Sequence, residues 1–305
     1  MQQSLKFLFV INPISGGRRK QTLETSIHSF FKSLPHQVEF FLMDGKNDAA
    51  SLDHWIKSWK PDRVIAVGGD GTVSLLAKQL MGTDVPMGIL PAGSANGMAK
   101  ELDINTSIED ALKIVVFGEV RRADVIKLNN KHYCLHLSDI GLNAQIIKHF
   151  EERNLRGFLG YGAALLKTLW RKEWMHVSIE TKNREIKREA LMVVIANATK
   201  YGTGAVINPG GNLYDGLFEV IVVKKLAISE LIKMLFKAKR FNPKKVEVFH
   251  TKHVSIETRH KVHFQVDGEY LGKIRKLTAD IEAAKLNLLL PKEGAEKSER
   301  TSEYL

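Results

Sequence analysis

The sequence predicts a two-part α/β protein, with an N-terminal doubly wound parallel sheet followed by a mainly antiparallel β domain with helices. Three observations carry that expectation. Between residues 6 and 118 short apolar runs alternate with helix-like stretches across short loops, as parallel strands with crossover helices require. After residue 122 the apolar runs are separated instead by turn dipeptides such as Asn129-Asn130 and Lys182-Asn183, which suits antiparallel hairpins. Glycine-rich segments close three of the early apolar runs, and in such sheets ligands sit beyond the carboxyl ends of the strands.

The elements follow in order. Residues 6–12 read as a strand and are followed by a helix from near Gly17 towards Phe31. A second strand (37–43) leads to a helix around 49–58, and a third strand (63–67) to a helix over 73–81. The fourth strand, 87–91, runs into a small-residue turn over 92–97, and a helix over 108–116 ends at Gly118. In the second part, strands are expected at 125–128, 133–137, 177–180, 185–197, 218–223, 246–249, 254–258, 262–266 and 286–290. Two helices interrupt them, over 144–170 with a break near 157–162, and over 228–240. The domains are therefore set at 1–122 and 123–291, and the charged segment 292–305 lacks apolar periodicity and reads as a disordered tail.

Composition narrows the function classes. The 305 residues carry 45 Lys+Arg against 34 Asp+Glu, a formal charge of +11, which favours anionic partners. The basic residues are spread along the chain with no RNP, zinc-finger or basic-zipper pattern, so no nucleic-acid partner is expected. The single cysteine, Cys134, excludes an internal disulfide and a cysteine-rich zinc site, and a reducing cytoplasm fits best. No window approaches the ~18 apolar residues of a membrane span, so the chain is expected to be soluble or peripheral.

The most informative segment is Gly68-Gly69-Asp70-Gly71-Thr72, a strand-to-helix junction almost free of side-chain bulk. Such a turn lets backbone N–H groups approach a polyanion at the positive end of a helix, and positive φ values are expected at Gly69 and Gly71. A tight turn alone would need two glycines. Asn12-Pro13-Ile14-Ser15-Gly16-Gly17 and Ala92-Gly93-Ser94-Ala95-Asn96-Gly97 fall at the same sheet edge, which points to a held phosphate chain. Neither a Walker A loop nor a G-x-G-x-x-G fingerprint is present.

These three segments, in this order and spacing, resemble the diacylglycerol kinase catalytic-domain family, which includes bacterial lipid kinases and sphingosine kinases. The resemblance continues through Asp124, Asp139-Ile140-Gly141, Gly157 to Tyr161, Asn208-Pro209-Gly210-Gly211, Asp215-Gly216 and Asp267-Gly268-Glu269, and so spans nearly the whole chain. It implies a nucleotide-binding first domain, ATP and Mg²⁺ as cofactors, and transfer of the γ-phosphoryl group to a hydroxyl of a membrane lipid, diacylglycerol-like or sphingoid-like.

The resemblance also implies roles. Asn12, Pro13, Ser15, Gly16, Gly68, Gly69, Asp70, Gly71, Thr72, Gly93, Ser94 and Asn96 would face the nucleotide. Glu269 would take the hydroxyl proton, with Asp70 the alternative, because Asp267-Gly268 by itself reads only as a type I′ turn. Asp215 with the carbonyls of Asn212 and Leu217 would hold a structural magnesium, and Asp124 and Asp267 would support the site. Where the family has threonine at the end of strand two, this chain has Met43, so one hydroxyl contact to the nucleotide is lost. The turn Gly93 to Ala99 is nearer the sphingosine kinase form, which leaves the lipid open.

The basic, aromatic stretch from Arg153 to Trp174 suits contact with an anionic membrane surface through Trp170 and Trp174, at the inner face of the membrane. A homodimer stays open. Two rival readings are an NAD kinase-like enzyme acting on a soluble substrate and a catalytically silent nucleotide- or lipid-binding regulator.

Overall fold

The computed structural model describes residues 4–13, 20–104, 107–152, 174–182, 184–201, 206–225 and 241–292. The chain divides into two compact units, 1–123 with 285–305, and 124–284. It therefore passes from one unit to the other twice.

The first unit is built on strands β1 (Lys6–Ile11), β2 (Gln37–Leu42), β3 (Arg63–Gly68) and β4 (Met87–Pro91). β1 pairs in parallel with β2 on one side and β3 on the other, and β3 pairs in parallel with β4. Beyond β4 lies the end of the last strand, β14 (Glu269–Leu290), with Leu288 opposite Met87 in parallel. β1, β3 and β4 are buried along their length, which explains their near-continuous Val/Ile/Leu/Phe sequences. Helices α1 (Lys20–Phe31), α2 (Asp48–Trp59), α3 (Asp70–Leu80), α4 (Gly97–Glu101) and α5 (Ile108–Phe117) join the strands. Ser107 caps α5 by accepting the Asp110 N–H, and Arg63 donates to the carbonyls of Val115 and Val116 near its other end. The strand order reverses at β1, so the carboxyl ends of β1 and β3 flank the switch point where doubly wound sheets bind ligands.

The second unit is mainly antiparallel. β7 (Leu137–Gly141), β10 (Met192–Ala196), β11 (Phe218–Val223) and β12 (Val246–Thr251) run in the order β12-β11-β10-β7, and β7 then pairs with β13 (His253–Val266). β13 and β14 form a hairpin, and the other end of β13 carries β8 (Met175–Thr181), which pairs with β9 (Arg184–Ala190). β5 (Glu119–Leu128) and β6 (His132–Cys134) form the hairpin expected at Asn129-Asn130, both at positive φ. Helix α6 (Leu142–Glu152) follows β7. Alternate residues of β8 are buried, while β10 and β11 are buried throughout.

Several boundaries differ from the sequence expectation for identifiable reasons. The run 133–137 is two strands, because the amides of residues 135–137 turn to the Asp267 carboxylate instead of a ladder. The run 185–197 is broken at Leu191, whose N–H and carbonyl bond Val223 and Leu142. The strand expected at 286–290 is the end of the 22-residue β14, and it belongs with the first unit, where the Gly82 N–H donates to the Lys285 carbonyl at 2.9 Å. The turn at 92–97 already contains the first residue of α4, and α3 begins at Asp70 instead of Val73. The helix expected over 228–240, and most of the one over 144–170, lie outside the described residues.

Candidate active site

In the first unit, backbone bonds between strand ends bring the loops together. The Asn12 N–H donates to Val67 and the Ala92 N–H to Gly68. Gly68 has no room for a side chain, because a Cβ there would fall 2.3 Å from Thr72 Oγ1. Gly69 adopts φ −97°, and neither it nor Gly71 has the positive φ expected from the sequence. Space rather than handedness accounts for the glycines at 68 and 69. A Cβ on Gly69 would meet Gly93 Cα at 3.3 Å, while one on Gly71 would meet nothing within 4 Å.

Asp70 begins α3 and its carboxylate reaches across to the next loop. Oδ2 accepts the Gly97 N–H at 3.0 Å and Oδ1 the Met98 N–H at 3.1 Å. Both oxygens thus satisfy orphan donors in the first turn of α4. Asn96 is spent locally as well. Its side-chain carbonyl accepts the Gly93 N–H and its amide donates to the Gly93 carbonyl, both at 2.9 Å. Asn96 itself sits at φ 51°. Asn96 therefore shapes the loop, while Ser94 is exposed beside it and Thr72 is buried. Asn12 is half-buried and Pro13 exposed; Ser15 and Gly16 lie outside the described residues.

In the second unit the turn Asp267-Gly268, at φ 48° and 88°, joins β13 to β14 and makes Glu269 the first residue of β14. Glu269 is exposed. Asp267 faces the other way and gathers three backbone N–H groups, those of Leu135 (2.9 Å), His136 (2.9 Å) and Leu137 (3.1 Å). The Cys134 thiol donates to the same carboxylate at 3.3 Å. Burial and that carboxylate push the thiol well above its ordinary pKa, so Cys134 stays a neutral packing group.

Asp124 is buried and also acts as an acceptor, of the Gly216 N–H at 2.6 Å and the Ala284 N–H at 2.7 Å. Its own N–H donates to Leu213, so it anchors both ends of the loop 213–216. Within that loop Asp215 is exposed and accepts the Leu217 N–H at 2.9 Å, and Asn212 accepts the Tyr214 N–H. The donor set of Asn212, Asp215 and Leu217 is one carboxylate with backbone carbonyls, all hard oxygens, which fits magnesium with retained waters. Among the described residues no group of three His, Cys, Asp or Glu side chains gathers around one metal position.

The resemblance runs through Asp139 without giving it a role, and sequence reasoning did not single out Gln265 or the buried polar group that the two form beside the Asp267-Gly268 turn. Asp139 on β7 stands directly opposite Gln265 on β13, and Oδ2 accepts the side-chain amides of Asn143 and Gln265, each at 2.6 Å. Burial raises its carboxyl pKa to about 6, against the opposing effect of those hydrogen bonds. Asp139 and Asn143 are four residues apart, but no local pattern joins them to Gln265, 126 residues later.

Comparison with known proteins joins both units to one family. Residues 6–128 match the diacylglycerol kinase catalytic domain, and residues 138–290 match the YegS C-terminal NAD kinase beta sandwich-like domain. The chain belongs to the diacylglycerol kinase catalytic-domain family. As a member of this kinase family it is a phosphotransferase, and the family's use of ATP agrees with the loops of the first unit. Lipid kinase YegS of Escherichia coli strain K12 is 27% identical over 234 residues, 74% of this chain and 78% of the relative. A diacylglycerol kinase structure from Bacillus anthracis str. Sterne covers 96% of this chain and 99% of its own, with 19% identity and a TM-score of 0.75. An NAD kinase from Archaeoglobus fulgidus in complex with ATP is more distant, at 13% identity and a TM-score of 0.55. The fold of this diacylglycerol kinase family member is thus shared with enzymes of both names. Among the described residues no helix is long and apolar enough to cross a membrane.

Proposed function

We propose that the protein transfers the γ-phosphoryl group of ATP to a hydroxyl of a membrane lipid, with Glu269 as the proton acceptor. The observation that carries this reading is the different use of the two candidate carboxylates. Asp70 spends both oxygens on the Gly97 and Met98 amides, so it serves the shape of the nucleotide loops. Glu269 is exposed at the start of a strand whose turn is fixed from behind, which suits a group that must meet an incoming hydroxyl. In this reading the backbone N–H groups around Gly69 and Gly71 hold the triphosphate. Glu269 would take the proton of the lipid hydroxyl while the hydroxyl oxygen bonds to the γ-phosphorus and the bond from that phosphorus to ADP breaks. Asn212, Asp215 and Leu217 would hold a structural magnesium, which supplies positive charge beside the anchored loop 213–216.

The lipid assignment rests on the family and on the E. coli relative's name, and the net charge of +11 favours an anionic membrane face. Trp174 is exposed; Trp170, Arg171 and Lys172 lie outside the described residues. Two experiments test the proposal. Glu269→Gln should lower kcat by about 10²–10⁴ with little change in ATP affinity, since the amide keeps the shape but cannot accept the proton. A screen with ATP over diacylglycerol, sphingoid base, ceramide, undecaprenol and NAD should give a phosphorylated lipid; phosphorylation of NAD alone would refute the reading.

A further inference from the structure

The turn that presents Glu269 is held by more than its own two residues. In a type I′ hairpin the N–H of the second turn residue points away from the ladder and needs a partner from elsewhere. Here that N–H belongs to Gly268, and it donates to Gln265 Oε1 at 2.8 Å. The other end of the same side chain donates from Nε2 to Asp139 Oδ2 at 2.6 Å. Gln265 is fixed at its backbone too, because the Ser138 hydroxyl donates to its carbonyl at 2.7 Å. Asp139 in turn is held by the Asn143 amide at 2.6 Å and lies within 3.5 Å of the Tyr201 hydroxyl. Asp139 and Gln265 are both essentially solvent-free.

We propose that Asp139 and Gln265 are positioning residues for Glu269. Gln265 ties the Gly268 amide to the buried Asp139 carboxylate and so sets where the first residue of β14 stands. A side-chain amide has two ends that differ, and Asp139 decides which one meets the turn. An acceptor at residue 139 compels Nε2 to face it, which leaves Oε1 for Gly268. Without that acceptor the amide is free to rotate, and the Gly268 N–H loses its fixed partner. The proposal rests on Glu269 being the proton acceptor.

The test uses the full-length protein with steady-state kinetics on the phosphorylated lipid. Gln265→Leu and Asp139→Ala, checked for folding by circular dichroism, should lower kcat at least tenfold while KM for ATP stays within about twofold. Asp139→Asn should restore kcat to near wild type, because a single oxygen of the residue receives both amides and Asn can supply it. Gln265→Glu offers a second route if Gln265→Leu does not fold. Two carboxyls facing each other at this distance hold one proton between them, so that variant should work near pH 6 and lose activity as pH rises towards 8. The groups near that pair are the Tyr201 hydroxyl, the neutral Cys134 thiol and the Asp267 carboxylate, all present in the wild type as well. A wild-type kcat in folded Gln265→Leu, or a Gln265→Glu profile identical to wild type, beside an inactive Glu269→Gln, overturns the positioning role alone. An active Glu269→Gln overturns the assignment of the base beneath it.

Discussion

Gly93 stands against Gly69 so closely that a Cβ on Gly93 would lie 2.4 Å from Gly69 Cα. Two backbones from the third and fourth strand ends meet there without side chains between them. Substitution at this contact differs sharply from substitution two residues on at Gly71, which opens onto free space.

Gly93→Ala is therefore expected to push the two loops apart, lowering the melting temperature and weakening ATP binding at least tenfold. Gly71→Ala should leave the melting temperature unchanged, because its methyl group meets nothing within 4 Å, yet weaken ATP binding if the triphosphate lies where the proposed function puts it. Calorimetric ATP titration of the two variants decides the matter, and an unaltered affinity in Gly93→Ala removes the pair from the site.

Asp70→Ala should expose the Gly97 and Met98 amides to an absent acceptor and destabilise the fold by about 2 kcal/mol, as hydrogen bonds to a charged group do. Asp70→Asn keeps one acceptor oxygen and should lose less. Urea denaturation gives the comparison. Were Asp70 the proton acceptor instead, Asp70→Asn would abolish turnover in a protein that still folds, whereas the structural role predicts an activity loss no greater than the loss of stability explains.

Asp139 gives a pH signature with a definite sign. Its folded pKa of about 6 lies above the ordinary aspartate value of 3.8, so between those values the folded chain keeps a proton that the unfolded chain has released. Stability contributed by this group is present at low pH, falls as pH rises from about 4 to about 6, and is then constant. Asp139→Asn should lack that slope, gaining on the wild type as the pH rises. Parallel slopes in denaturation midpoints from pH 4 to pH 7 would show that Asp139 does not titrate in this range.

Magnesium should raise the wild-type melting temperature in the absence of nucleotide, by the linkage of binding to folding, and chelation should reverse the gain. Asp215→Ala should abolish the response, since the only charged ligand of that loop is lost. A wild-type melting curve indifferent to both magnesium and chelator would remove the metal from residues 212–217.

The parts of this molecule readable from sequence are those encoded by neighbours. β4 was legible to the residue because an apolar run ends in a proline and a small-residue turn, and the Asn129-Asn130 and Asp267-Gly268 turns announce their hairpins through residues that tolerate positive φ. What escaped depends on distant partners. Nothing near Asp70 says that its oxygens will meet amides 27 and 28 residues later, nor near Asp267 that it will gather those of residues 135–137. The same holds for Gln265, which reads as one more polar residue in a strand until Asp139 is set opposite it.

The late return of β14 to the first unit has a consequence for how the chain is made. β4 ends at Pro91, yet the segment that covers its open edge is not complete until Leu290. At ~5–20 residues per second, the ribosome leaves that edge waiting for roughly 10–40 s while the whole second unit is synthesised. For that interval the nascent first unit carries a bare row of N–H and C=O groups along a buried-type strand, and lacks the apolar side chains of Leu286, Leu288, Leu289 and Leu290. A nascent chain halted at residue 123 is accordingly expected to pair with a stray strand more readily than the finished chain.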